Sequence, residues 1–138
     1  MKTNFRIKDN YAIEWEDNFI DLHNCFNFID IDSWMDGEIL IKFKKCEEEW
    51  VSKDEFSKVD FVCVGINYQK FESGKDLKNN YDRDTVNYIS FSSLELRDSL
   101  DTFESKETPD VGDDFVLGFE DGSSFRINCN QLTLVVSK

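Results

Sequence analysis

One histidine and four cysteines are the side chains of this 138-residue chain best suited to nucleophilic or metal chemistry. A Ser–His or Cys–His nucleophile pair would have to recruit His23, because a hydroxyl or thiol needs an adjacent base to take its proton. His23 and Cys25 stand two apart, so on a strand they share a face. Together they supply two metal ligands, and no further ligand follows at the spacing that zinc sites use. The plainer expectation is a surface or half-buried histidine beside a structural thiol. The segment Asp30 to Gly37 imitates a calcium loop but fails it. The fifth and sixth positions, which need an oxygen ligand and a glycine, hold Trp34 and Met35. A hairpin turn flanked by solvated carboxylates fits it better. GxSxG, GxxxxGK[ST] and HExxH are absent. No catalytic, cofactor-binding or metal site is therefore expected.

Acidic clustering is the signal that remains. Glu47, Glu48 and Glu49 precede Trp50; Asp110, Asp113 and Asp114 gather in one stretch; Asp98, Asp101 and Glu104 recur at helical spacing. Carboxylates beside an exposed aromatic suit a basic cleft, the ring anchoring and the charges steering. Glu47, Glu48, Glu49, Trp50, Asp110, Asp113 and Asp114 are the candidate partner-binding residues. The competing reading is a set of solvated loops with Trp50 tucked into the core. With 29 carboxylates in the chain, some pair will suit glycosidase geometry in any fold, so spacing alone selects none.

These residues need a scaffold, and the apolar pattern mostly has period two, the strand signal. Tyr11 to Trp15 alternates weakly, and Phe26 to Ile31 is a short apolar run. Asp36-Gly37 then leads into Glu38 to Lys44, where Ile39, Ile41 and Phe43 share a face. Asp-Gly between two such runs predicts a hairpin, since a type I′ turn needs positive φ at both central residues. Lys58 to Phe71 is the next strand. Its Phe61 to Ile66 part is apolar on both faces and belongs in the middle of a sheet. Gly65 marks a bulge or a close approach. Ser73 to Asp84 and Ser105 to Asp114 are expected as loops. Val86 to Leu96 is expected as a strand. Ser92 with Glu95 also fits a capping box, and Leu96, Leu100 and Phe103 follow at helical spacing. Phe115, Leu117 and Phe119 precede the turn Glu120 to Ser123; Phe125, Ile127 and Cys129 resume the pattern. Asn130-Gln131 is expected to turn again before a last strand, Leu132 to Val136. Seven or eight strands with at most one or two short helices predict a single mainly β domain over residues 1–138, an antiparallel sandwich or partly open barrel.

Composition narrows the function. Sixteen Lys and Arg against 29 Asp and Glu give a net charge of −13. Such a charge repels nucleic acid and anionic membranes and speeds encounter with basic partners. Thirteen Phe can build a core without disulfides or metal, each contributing about 1.5–3 kcal/mol when buried. The N-terminus has no apolar leader, and the densest apolar run is far too short to span a bilayer. A cytoplasmic setting follows as an expectation, with Cys25, Cys46, Cys63 and Cys129 as reduced thiols and the last two as core residues.

The C-terminal stretch Phe115 to Cys129, with Leu132-Thr133-Leu134, resembles the final hairpin of small acidic β-sandwich immunity proteins of bacterial polymorphic toxin systems. Those endings have an apolar strand, a turn glycine, a strand ending in Cys and a last apolar strand. Phe61 to Phe71 fits the same layout. The resemblance covers about the last half of the chain. It carries over no catalytic residue. It implies an antidote that covers a toxin, often a basic nuclease. The competing expectations are a small-ligand binder or enzyme with a pocket near His23 or a carboxylate pair, and a structural protein assembling through edge strands.

Overall fold

The computed structural model describes residues 1–35, 37–47, 56–74, 84–97 and 106–138. Two Asp-Gly turns organise the larger sheet. β5 (Phe26–Met35) returns as β6 (Glu38–Lys45), with Met35 opposite Glu38 and Gly37 at φ +80°. β9 (Asp114–Phe119) returns as β10 (Ser124–Ser137), with Gly122 at φ +86° and Gly122 N–H donating to Phe119 O at 3.0 Å. Both glycines occupy the left-handed region that a tight turn requires and other residues avoid. Between these hairpins β7 (Lys58–Glu72) pairs with both β6 and β10, the interior position that its two-faced apolar run demands. β8 (Val86–Ser92) completes the order β5-β6-β7-β10-β9-β8. β1 (Lys2–Thr3) joins β10 in parallel. A second sheet holds β2 (Arg6–Lys8), β3 (Ala12–Trp15) and β4 (Asn18–Asp21). The larger sheet curls into a half-barrel, the partly open form of the expected mainly β fold. Among the described residues no helix is long and apolar enough to cross a membrane.

The hollow of the half-barrel is filled with phenylalanine. Phe43, Phe61, Phe91 and Phe115 are 0–1% exposed on the inner face. Phe5 enters from the loop between β1 and β2, with ring centroids 5.4 Å from Phe61 and 6.0 Å from Phe91. The first pair meets edge to face and the second is stacked, and such pairs add about 0.5–1.5 kcal/mol beyond area burial. The small sheet covers the same cluster with Ile7, Ile13 and Ile20.

The two ends of the large sheet approach each other, and short-range devices bridge them. Phe28 N–H donates to Asp84 O at 2.8 Å, linking β5 to the entry of β8. The one-turn helix α1 (Leu22–Cys25) lies against both strands; its N-cap Asp21 accepts from Asn24 N–H at 2.9 Å. Asp9 and Asn10 sit at φ 52° and 62° in the β2–β3 turn, a conformation that short polar side chains tolerate. That turn aims Asn10 at the open edge of β8. Ile89 N–H donates to Asn10 O at 2.7 Å, and Asn10 Nδ2 donates to Ile89 O at 2.9 Å.

Three details depart from expectation. Asn130-Gln131 makes no turn: β10 runs through it unbroken, with a register shift against β7 at Asn128/Cys129. The phase of burial resets there, because Asn130 and Gln131 are both exposed between buried Cys129 and Leu132. Within a period-two pattern a turn and a shifted register leave the same trace. Gly65, across from this point, has φ +71°, and a Cβ on it would lie 2.4 Å from Asn130 Nδ2. Next, Ser92 caps no helix. It is the last residue of β8, 1% exposed, and among the described residues its hydroxyl has no partner. A single 3₁₀ turn, Leu94–Leu96, follows it, with Ser93 as N-cap. Leu100 and Phe103 lie outside the described residues. Finally, three short N-terminal strands raise the strand count above the eight read from apolar alternation.

Candidate functional site

The candidate acidic residues divide sharply by environment. Glu47 is exposed just beyond β6. Glu48, Glu49 and Trp50 lie outside the described residues. Asp110 projects outward, its side chain 77% exposed, with Lys106 Nζ at 3.1 Å. Asp113 is buried, accepting from Asp110 N–H at 2.8 Å and Lys106 Nζ at 2.9 Å. Asp114 is wholly buried. Arg97 grips it through Nε and Nη2, both at 2.8 Å; Arg126 Nε donates at 2.6 Å and Asn128 Nδ2 at 2.9 Å. Asp113 and Asp114 are thus internal ties and not outward charges. Burial opposes ionisation of Asp114, but the bonds from Arg97, Arg126 and Asn128 outweigh it and hold the carboxyl below the usual range. The network also pins the 3₁₀ turn to the sheet. Arg126 donates to Leu96 O and Ser93 O, and Arg97 lies 3.8 Å above the Tyr68 ring.

A recess of about 560 Å³ opens where α1 and the β2–β3 turn meet the edge of β8. Asp9, Tyr11, His23, Asn87, Tyr88 and Glu120 contribute to its lining. His23 Nδ1 contacts Val86 O at 2.5 Å. A carbonyl only accepts, so Nδ1 carries a proton. Glu120 Oε1 is 3.7 Å from Nδ1. Tyr11 packs edge-on against Phe19, centroids 6.1 Å apart. Tyr88 lies across Gly118, where a Cβ would come within 2.1 Å of the ring. Burial raises the Tyr88 phenol above its ordinary value, Arg126 lowering and Glu72 raising it further.

Among the described residues no Lys or Arg lines this recess. Its polar groups are two carboxylates, an imidazole, amides and phenols. A smaller recess of about 350 Å³ includes Arg6 with Glu14 and Glu16, and so contains its own cation. No group of three or more His, Cys, Asp or Glu among the described residues could hold a metal. Cys25 is not beside His23 as a partner on one strand face. Both belong to α1, and Cys25 O accepts from Cys46 N–H at 2.8 Å. Cys63 and Cys129 are buried. Their mutual hydrogen bond, then burial, pushes the Cys63 thiol up.

His23 was legible from sequence, where it and an unspecified carboxylate pair were the expected centres of a pocket. Tyr11, Tyr88 and Glu120 were not, because the two turns and the strand that carry them are far apart in the chain. No protein-family model, no curated protein and no solved structure matches this chain.

Proposed function

We propose that this chain is a binding protein, an immunity protein that seats on a basic toxin domain and occludes it. The observation that supports this most directly is the recess at the β8 edge: lined by two carboxylates, without Lys or Arg among the described residues, on a chain of net charge −13. A surface of that kind attracts a positively charged partner from a distance and offers it a place to insert. Glu47 and Asp110 add outward charge elsewhere on the surface. The resemblance of the C-terminal hairpin to immunity proteins points the same way.

The test is complex formation with the toxin encoded beside this gene. A 1:1 complex that protects cells from that toxin is expected, with an association rate falling at least about tenfold from low to high salt. Absence of both binding and protection overturns the proposal. A complex whose on-rate ignores salt removes its electrostatic part.

A further inference from the structure

We infer that the recess at the β8 edge receives one arginine side chain projected by the protein partner. This rests on the binding reading above and specifies what the recess recognises.

The chemistry of the lining selects the ligand. Glu120 and Asp9 accept hydrogen bonds, and the Asn87 amide oxygen adds another acceptor. A guanidinium has five N–H donors and no acceptor, so it satisfies such a surface without leaving its own groups unmet. The proton on His23 Nδ1 is committed to Val86 O.

The two tyrosines discriminate between cations. A planar guanidinium stacks on aromatic faces, whereas an ammonium is a compact, strongly hydrated point charge. Tyr11 is braced by Phe19, and Tyr88 lies in the space that Gly118 leaves by lacking a Cβ. The rings are therefore in place before any ligand arrives, which lowers the ordering cost of binding.

The protein already contains the arrangement in occupied form. Arg97 bonds the Asp114 carboxylate through two nitrogens while lying 3.8 Å over the Tyr68 ring. The recess repeats the group types, carboxylate and tyrosine, on the outside of the same sheet system, with no Lys or Arg among the described lining residues. Its volume exceeds that of one side chain and its mouth is wide, which suits a residue standing on a protein surface better than a free small molecule.

The experiment titrates the full chain with N-acetyl-arginine amide and with N-acetyl-lysine amide, following the His23 and tyrosine ring signals by NMR. The arginine compound is expected to bind in the millimolar range, about tenfold more tightly than the lysine compound. Glu120→Gln should weaken it at least about fivefold while leaving the amide spectrum of the β7–β10 core unchanged. Equal affinity for the two cations overturns the guanidinium assignment, and no ring shifts up to about 50 mM overturn the site itself. A chain that neutralises the neighbouring toxin but ignores both amides refutes this inference and leaves the binding reading standing. Arginine binding without any toxin complex refutes that reading and leaves the chemistry of the recess.

Discussion

Replacing Asp114 with asparagine keeps the shape of the side chain and removes the charge that two arginines share. In the native chain the carboxylate receives two bonds from Arg97, one from Arg126 and one from Asn128, all between 2.6 and 2.9 Å. The amide has one acceptor oxygen and presents an NH₂ to a cluster made entirely of donors. Arg97 is 27% exposed and recovers much of its hydration; Arg126 is 12% exposed and recovers little. Removing one partner of a buried ion pair costs about 3–5 kcal/mol, most of it from the charge left behind. The upper half of that range applies because Arg126 stays covered. For a domain of this size the loss lowers the melting temperature by roughly 10–20 °C. Urea and thermal unfolding followed by circular dichroism measure it, with Asp110→Asn, whose carboxylate is 77% exposed, expected within about 0.5 kcal/mol of wild type. The pH dependence gives a second readout. The folded-state pKa of Asp114 is depressed, so its contribution is present above the unfolded value near 3.9 and lost as pH falls through the folded one. The variant should lack that acid-side decline. A variant that unfolds within about 1 kcal/mol of wild type refutes the picture of Asp114 as the anchor of the outer face.

Other outcomes follow from single contacts. Ser92→Ala removes a buried hydroxyl with no partner among the described residues, and should leave stability unchanged or raise it by up to about 1 kcal/mol in urea unfolding. Gly65→Ala adds a Cβ at φ +71° within 2.4 Å of Asn130 Nδ2, and should destabilise by about 1–3 kcal/mol in the same assay. Native protein should expose at most Cys25 and Cys46 to a thiol reagent, with Cys63 and Cys129 reacting only on unfolding; prompt modification of all four contradicts the burial described.

The large sheet could be read in the chain because its signals are local. Asp36-Gly37 and Asp121-Gly122 declare their turns, and Ile39, Ile41 and Phe43 declare their face. The small sheet could not. β3 shows only as the weak alternation of Tyr11 to Trp15, while β2 and β4 are three and four residues long and their burial depends on what the half-barrel presents to them. The role of Asp114 was hidden behind its neighbours, since three aspartates near a glycine look like a solvated loop. A trace of it did exist. The Asp-Gly turn fixes the β9–β10 register with Arg126 opposite Val116, and Val116 shares a face with Asp114. That places a cation diagonally across from the acid on the outer face. The recess left no such trace, because turn residue Asn10, helix residue His23 and edge residue Tyr88 meet only through the closing of the sheet.

The open margin of β8 is met by a turn residue and a helix residue where a closed barrel would supply another strand. Asn10 answers both backbone groups of Ile89, a residue 79 positions further along, and His23 answers the carbonyl of Val86. An unguarded margin is a template on which a second chain can build. Trimming the first dozen residues would therefore do more than shorten the protein: it would strip the sentinel from that margin and invite self-association.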